Sequence, residues 1–324
     1  MRALIIGAGG MLGARLARRL AAEGALAGRP LEALALADLA APPLPEGASF
    51  PMRAEAIDIT APDAPGRLIA DRPDVIFHLA AIVSGQAEAD FARGYSVNLG
   101  ATQALFEAIR RANAAEGYRP RLVFASSVAV FGGPFEGEVV PEGFHLTPLS
   151  SYGTQKAIGE LLLADYTRRG FLDGIALRLP TIVIRPGAPN RAASGFFSGI
   201  LREPLAGLEA VLPVPESLRH WFASPRAAVG FLVHAAGLDG EKLGPRRALD
   251  MPGVSASVGE MIAALERARG PEAAALIRRE PDPEVLAIVG GWAPGFEAAR
   301  ARALGFEAER SMDEIIGAHL ADEG

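Results

Sequence analysis

Short apolar runs alternate along the first half of the chain with longer segments in which apolar residues recur at helical spacing. Apolar runs without polar alternation are typical of strands that a parallel sheet buries on both faces. Strands and helices in alternation predict a doubly wound parallel α/β fold, whose ligands bind at the carboxyl ends of the strands. The runs that we interpret as strands lie at residues 3–6, 34–37, up to 59, 74–81, 121–125 and 175–179.

The pattern changes beyond residue 185, where proline and glycine become dense as far as residue 225. Shorter strand and helix signals follow without a regular repeat, which indicates a smaller C-terminal α/β lobe over the ligand cleft. We therefore expect residues 1–180 to form a nucleotide-binding domain, with part of 220–250 returning to it. Residues 181–324 are expected to form mainly a substrate-binding cap lobe.

Three glycines, Gly7, Gly10 and Gly13, lie between the first predicted strand and the first predicted helix. In that context the first permits a tight turn, the second lets the backbone approach a pyrophosphate, and the third lets helix pack on strand. The N–H groups at the helix start, near Met11 and Leu12, then face the anion.

Asp38 ends the second predicted strand, where a carboxylate can accept hydrogen bonds from an adenosine ribose. The same charge repels a 2′-phosphate, and no arginine or lysine follows at once, so NAD is favoured over NADP. The alternative role for Asp38 is a loop cap.

Tyr152 and Lys156 are four residues apart at the start of a predicted helix, so they share one face of it. A lysine beside a tyrosine favours the phenolate, which suits proton transfer near neutral pH. Ser127, at the end of another predicted strand, supplies a hydroxyl that can bind the same substrate oxygen. The alternative for the pair alone is an ordinary solvated helix face.

Composition excludes several classes of protein. The chain of 324 residues has no cysteine, which rules out disulfides and thiolate chemistry, and its five histidines offer no metal motif, so no metal is predicted. A net charge of −6 with scattered arginines disfavours a nucleic-acid surface. No apolar run approaches the roughly 20 residues of a membrane helix. The first strand starts too early for a signal peptide, so a cytoplasmic protein is expected.

The order of these motifs resembles that of the extended short-chain dehydrogenase/reductase superfamily. The resemblance implies a Rossmann-type domain that binds NAD(P), with Tyr152 as acid/base, Lys156 on the nicotinamide ribose, and a homodimer formed through the two long central helices. The motifs are Gly7-x-x-Gly10-x-x-Gly13, Asp58-Ile59, His78-Leu79-Ala80-Ala81, Ser126-Ser127, Tyr152-x-x-x-Lys156 and Pro180-Thr181-Ile182-Val183. The cofactor contacts expected besides the glycine turn and Asp38 are Asp58, Ile59, Leu79, Ala80, Ala81, Asn98, Tyr152, Lys156, Pro180 and Ile182.

Members of this superfamily include epimerases, dehydratases and dehydrogenases. Dehydratases resemble Thr-Asp-Glu at the catalytic hydroxyl, whereas here Ser127 is followed by Val128-Ala129, so the carboxylates for elimination are missing. Finer stretches, at residues 83–91, 151–166, 177–187, 189–194, 202–205 and 224–226, resemble the D-erythronate dehydrogenase family. That resemblance implies NAD-dependent oxidation of the C2 hydroxyl of a four-carbon sugar acid. A nucleotide-sugar 4-epimerase and a non-catalytic NAD(P)-sensing regulator are the alternatives.

A small sugar acid needs a cation for its carboxylate and several hydroxyl partners. Besides Ser127 and Tyr152, the candidate substrate contacts are Ser84, Thr181, Asn190, Ser194 and Arg226, with Arg185 as the alternative cation. His78 lies inside an apolar strand, so we interpret it as a core histidine.

Overall fold

The computed structural model of the chain describes residues 1–135, 139–187 and 194–323. Its main sheet has seven parallel strands, with helices on both faces, so the predicted doubly wound α/β fold is confirmed. The strands in this described part are β1 (Arg2–Ile6), β2 (Ala25–Leu26), β3 (Arg29–Pro30), β4 (Ala33–Asp38), β5 (Met52–Ala56), β6 (Val75–His78), β7 (Arg121–Ser127), β8 (Asp173–Leu179), β9 (Thr181–Ile182), β10 (Ala210–Leu212), β11 (Arg219–Ala223), β12 (Ala248–Asp250), β13 (Val254–Ser257) and β14 (Ile277–Arg279).

Helices cover both faces of the main sheet and build most of the second lobe. A π-helical turn, Ser96–Gly100, and two 3₁₀ turns, Val128–Val130 and Gly240–Leu243, complete the helical segments. The α-helices are α1 (Met11–Glu23), α2 (Ala64–Leu68), α3 (Ser84–Ala89), α4 (Phe91–Tyr95), α5 (Ala101–Glu116), α6 (Ser151–Arg168), α7 (Gly195–Leu205), α8 (Pro225–Gly237), α9 (Val258–Arg269), α10 (Pro271–Ala275), α11 (Pro283–Val289), α12 (Ala299–Ala303) and α13 (Met312–Glu323).

The strand order of the main sheet is β12-β8-β7-β6-β1-β4-β5. The chain therefore winds outward in one direction from β1 through β4 and β5, and in the other from β6 through β7 and β8. Between β1 and β6 the loops at the carboxyl ends diverge, and this switch point is where such sheets bind ligands. Parallel pairing places Ile6 beside His78 and Ser127 beside Leu179, so the loops that follow these strands open at one edge.

The described residues form four apolar cores, of which the smallest includes Phe131, Trp221 and Phe296. The other three hold the layers together. One lies between the sheet and helices α1 and α8, and includes Leu16, Leu20 and Phe231. A second lies on the opposite face against α2, α5 and α6. The third, with Phe197 and Met261 at its centre, belongs to the second lobe and its strands β9, β11 and β13. Because β9 continues directly from β8, the main sheet and the second lobe meet beside the carboxyl edge of the sheet.

Two helices near the sheet are short. The polar stretch at residues 84–88 belongs to helix α3, which begins at Ser84. Helix α2 spans only Ala64–Leu68 and has a proline in its first turn. The stability of such short helices comes from packing more than from local pattern.

Among the described residues, none of the helices has the length and apolar character that crossing a membrane requires. The cytoplasmic location stays a prediction.

Candidate active site

The glycine turn between β1 and α1 is built so closely that side chains are excluded. Gly7 has a φ of 90°, and a Cβ on it would lie 2.5 Å from the backbone nitrogen of Ala80. A Cβ on Gly13 would overlap the carbonyl oxygen of Gly7. No side chain caps the start of α1 at Gly10, so the first N–H groups of this helix stay available to an anion.

One cavity of about 950 Å³ runs from this turn to the second lobe. Most of the predicted cofactor residues lie on its wall, and they come from the glycine turn with the start of α1, from the ends of β6 and β8, and from helix α6. Those that line it are Gly7, Gly10, Met11, Leu12, Gly13, Leu79, Ala81, Tyr152, Lys156, Pro180 and Ile182. A close backbone turn at the switch point and a free helix N-terminus fit the pyrophosphate of a dinucleotide.

Asp38 lies at the end of β4, next to the glycine turn. Its carboxylate accepts a hydrogen bond from the backbone N–H of Gly9 at 2.8 Å and another from that of Leu39 at 2.7 Å. The loop-cap alternative is therefore present, and it holds the carboxylate beside the turn rather than competing with a ribose contact, because a carboxylate has about four lone-pair sites.

Four other residues that we predicted to contact the cofactor are not among the described residues that line the cavity. Neither Asp58 nor Ile59 is among the described residues that line the cavity; the Asp58 carboxylate accepts hydrogen bonds from Thr60, which lower its pKa. Ala80 packs under Gly7. Asn98 braces the loop after β6, since its amide bonds both the N–H and the carbonyl of Ile82.

Helix α6 places the tyrosine and the lysine. Ser150 caps the helix by accepting from the N–H of Gly153 at 3.0 Å, and the absence of a side chain on Gly153 lets the helix start lie against Ala129. Lys156 is buried, and its Nζ donates to the carbonyl of Ala125 at 2.7 Å. The ammonium lies 5.7 Å from the centre of the Tyr152 ring.

Three influences set the pKa of Tyr152. Burial raises the pKa of Tyr152 to about 12, while a hydrogen bond with Ser127 and the charge of Arg185 oppose that rise. The expectation that Lys156 also lowers the pKa of the phenol stays a prediction. Burial itself lowers the pKa of Lys156 to about 8, opposed by the carboxylate of Glu160, so the lysine is mostly protonated at neutral pH.

Ser127 stands at the carboxyl end of β7, opposite Tyr152. Its Oγ accepts a hydrogen bond from the N–H of Ala129 at 3.1 Å, which leaves the hydroxyl proton to donate elsewhere. Ser127 and Tyr152 line the same cavity and bond each other, so one oxygen placed between them would contact both.

The far end of the cavity carries the predicted substrate residues and one cation. Ser84, Thr181 and Ser194 line it, and so does Arg185. The Arg185 guanidinium donates to the carbonyl of Ile182 and to Ser194 Oγ, both at 2.9 Å. Burial lowers the pKa of Arg185, and the nearby Tyr152 opposes that effect. The two hydrogen bonds hold the guanidinium in place, close enough to Tyr152 for each group to influence the pKa of the other.

Two predicted substrate residues are not found there. Arg226 lies outside the cavity, where its guanidinium binds Asp322 and donates to the carbonyl of Ala318 at 3.3 Å. Its position in α8, which packs on α1, turns it to the outer surface. Asn190 lies outside the described residues.

Several lining residues went unnoticed in the sequence. Arg202 supports the cation by donating to the carbonyl of Arg185 at 2.8 Å. His220, Trp292 and Phe296 come from the second lobe and complete the wall. Of these, only His220 had a usable signal, because a histidine inside an apolar strand must find partners.

Comparisons with known proteins show the family to which the chain belongs. Residues 3–222 match the NAD dependent epimerase/dehydratase family. The chain is 48% identical to D-erythronate dehydrogenase of Cupriavidus necator, covering 100% of this chain and 99% of the relative. The chain belongs to the NAD dependent epimerase/dehydratase family. It is an NAD-dependent oxidoreductase, which confirms the predicted class and cofactor.

Two further relatives are named for two different reactions. D-erythronate dehydrogenase of Haemophilus influenzae is 40% identical, over 98% of both chains. A crystal structure described as the nucleoside-diphosphate-sugar epimerase from Agrobacterium tumefaciens is 61% identical, with a TM-score of 0.97, over 100% of this chain and 94% of that one. Family members with this fold are thus named for both a dehydrogenase and an epimerase reaction.

Proposed function

We propose that this enzyme oxidises the C2 hydroxyl of D-erythronate to the 2-oxo acid, 2-dehydro-D-erythronate, with NAD as oxidant. The observation that carries the proposal is the half-buried Arg185, which shares a cavity wall with Tyr152 and whose charge opposes the rise in the pKa of that tyrosine. A sugar acid has a carboxylate one bond from the reacting carbon, so its charge must lie close to the proton-transfer site. Two full-length relatives named for the same reaction support the assignment.

Tyr152 is the proposed acid/base. As phenolate it removes the proton of the C2 hydroxyl, while the hydrogen on C2 leaves with its electron pair. NAD, when bound, supplies the acceptor for that hydride. Ser127 donates its one hydroxyl proton to the substrate oxygen, so it orients that oxygen for proton transfer to the phenolate. Lys156 contributes its positive charge beneath the tyrosine ring and is the proposed partner of the nicotinamide ribose.

Arg185 is the proposed partner of the substrate carboxylate, in place of Arg226. An arginine matches a carboxylate with two parallel N–H donors, which fixes orientation as well as charge. Its anchors on Ile182 and Ser194 hold the guanidinium in place before substrate arrives. Ser84, Thr181 and Ser194 are the proposed hydroxyl partners, together with Asn190 from the part of the chain that the structure does not describe.

The cofactor would lie along the first lobe, which we propose extends over residues 1–180 with part of 220–250 returning to it. The glycine turn holds the pyrophosphate, and Asp38 accepts from the adenosine ribose and disfavours a 2′-phosphate. The substrate lobe is then mainly residues 181–324. Strand β12 pairs with β8 in the main sheet, which supports the return of the chain to the first lobe.

A nucleotide-sugar 4-epimerase is the second candidate, because the 61% identical structure bears that description. The two reactions differ in their net products. A dehydrogenase releases NADH with its product, whereas an epimerase returns the hydride to the sugar and forms no net NADH. A non-catalytic NAD(P)-sensing regulator is disfavoured because Ser127, Tyr152 and Lys156 are assembled in one cavity.

The test is NADH formation when purified enzyme and NAD meet D-erythronate, its four-carbon diastereomers, or UDP-glucose. We expect steady NADH production with D-erythronate and none with UDP-glucose. Interconversion of UDP-sugars without net NADH, together with no NADH formation from any of the sugar acids, would show that the epimerase assignment is correct instead.

A homodimer through α5 and α6 remains part of the proposal. Leu161 on α6 is 64% exposed, and Phe91 at the start of the preceding helical segment is 61% exposed, which is unusual for large apolar side chains. Light scattering on wild type and Leu161→Glu measures the association directly; a monomeric wild type would exclude it.

A further inference from the structure

His220 has no part in the mechanism above, yet it lies against the substrate end of the cavity. It belongs to β11, is only 3% exposed and lines the cavity beside Thr181. Its Nε2 lies 2.6 Å from Thr181 Oγ1, and its Nδ1 lies 3.1 Å from the carbonyl oxygen of Ala293. Both ring nitrogens are therefore engaged, one by the backbone and one by a hydroxyl at the cavity wall.

These two contacts determine which way the threonine hydroxyl points. A carbonyl oxygen can only accept, so Nδ1 must carry a proton. The ring is packed against Phe197, Phe222 and Trp292, and burial lowers its pKa to about 4, so Nε2 has no proton at neutral pH. The Thr181 hydroxyl consequently donates its one proton to Nε2. Only its lone pairs are left for a ligand.

We propose that Thr181 is an obligate hydrogen-bond acceptor for a non-reacting hydroxyl group of the substrate, and that His220 is the positioning residue that enforces this role. The inference rests on the proposed function. Beyond the hydroxyl that is oxidised, D-erythronate has hydroxyls on C3 and C4, and either can donate. Ser127 and Tyr152 serve the reacting oxygen, and Arg185 serves the carboxylate. Thr181 is therefore available for one of the two remaining hydroxyls, and among the proposed hydroxyl partners it is the one whose proton His220 takes.

This arrangement predicts selectivity for polyhydroxy acids. A substrate with a hydrogen in place of the hydroxyl would leave the buried lone pairs of Thr181 without a donor. Sites built to bind a hydroxyl reject analogues that lack it, because the protein group is then left unpaired. We expect the correct deoxy analogue to lose about 10- to 100-fold in kcat/KM.

The experiment compares kcat/KM for NADH formation from D-erythronate with that from 2,3-dihydroxybutanoate and 2,4-dihydroxybutanoate of matching C2 configuration. Wild type should prefer D-erythronate by about 10- to 100-fold over one of the two. Thr181→Val, which keeps the shape and removes the oxygen, should bring that ratio close to one, and Thr181→Ser should restore it. His220→Phe releases the hydroxyl proton, so the ratio should fall, mainly through KM for D-erythronate.

Thr102→Val is the matched control, since Thr102 also bonds a buried histidine, His78 at 2.8 Å, but neither residue is among the described residues that line the cavity. Its substrate ratio should equal that of wild type, whatever it does to thermal stability. A wild type that turns over all three acids within about threefold would overturn the inference without any variant being needed. So would a Thr181→Val enzyme that keeps the wild-type ratio. If wild type forms no NADH from D-erythronate at all, the proposed function itself fails and takes this inference with it.

Discussion

Two buried histidine–threonine pairs lie in different regions of the molecule, and their hydrogen bonds have opposite directions. The histidine is the donor in one pair, and the threonine is the donor in the other. In the first lobe, Thr102 Oγ1 donates to the carbonyl of Asn98 at 2.9 Å, so the Nε2 of His78 must donate to the threonine at 2.8 Å. At the junction with the second lobe, the carbonyl of Ala293 takes the histidine proton instead, and Thr181 becomes the donor. The backbone carbonyl within reach decides the direction in each pair.

The difference has a functional side. The Thr102 hydroxyl is satisfied by Asn98 and His78, and the His78 ring lies against Phe124, so this pair contributes to structure. Thr181 lines the cavity, and we propose that its lone pairs are left for the substrate. The proposed roles divide in a similar way: Ser127, Tyr152 and Lys156 of the first lobe carry the proton chemistry, while most of the proposed substrate contacts follow residue 180.

The largest expected effect tests the first-lobe half of this division. Tyr152→Phe removes the phenol oxygen, so turnover of D-erythronate should fall by about 10³-fold or more, because general acid–base catalysis is lost. The affinity for NAD, measured by calorimetry, should change little, since the ring remains. Retained turnover in this variant would show that another group takes the proton.

Arg185→Gln tests the recognition half, with a smaller but still large effect. Loss of a half-buried charge opposite a carboxylate should lower kcat/KM for D-erythronate by about 10²-fold. The charge of Arg185 also lowers the pKa of Tyr152, so its removal raises that pKa further. Because the reaction needs phenolate, the alkaline rise in kcat should move to higher pH.

Arg185→Lys is the control for this variant, since it keeps the charge but not the paired donors. Its pH profile should stay near that of wild type while KM rises. The recognition role is contradicted if Arg185→Gln shifts the profile and leaves KM for D-erythronate unchanged.

The smallest expected effect is on the free energy of unfolding, and it is expected to be the same for both buried histidines. Burial lowers the pKa of His78 to about 3 and that of His220 to about 4, both below the ordinary value near 6.5. Below pH 6.5 the unfolded chain binds these protons and the folded protein does not, so stability falls on acidification. Each ring contributes about 1.4 kcal/mol per pH unit. Asp250, whose pKa burial raises to about 6, acts in the opposite direction below that pH.

The contribution of one ring is therefore measured as a difference between variants. Urea unfolding of wild type and His78→Gln between pH 6.5 and 5 should give slopes of unfolding free energy against pH that differ by about 1.4 kcal/mol per unit. His220→Gln should show the same difference. Parallel slopes for wild type and either variant would mean that the ring in question is already charged in the folded protein.

The sequence alone predicted the fold, which is confirmed, and the residues that we propose for the catalytic half of the site. Buried strands, the glycine turn and the four-residue spacing of Tyr152 and Lys156 are local patterns, whose geometry follows from neighbouring residues. The same holds for Asp38, which ends a strand that begins only a few residues earlier. Their spatial meeting follows from the parallel sheet, since every carboxyl end opens at one edge.

Only the tertiary structure decided the recognition half. Arg185 and Arg226 both follow short polar or proline-containing stretches, and no local rule separates the arginine that faces the cavity from the one that pairs with Asp322. The same limit applies to His220, because its role depends on the carbonyl of Ala293, which lies 73 residues away in the chain. Contacts between distant segments set the direction of a hydroxyl and the position of a charge, and a linear pattern does not encode either.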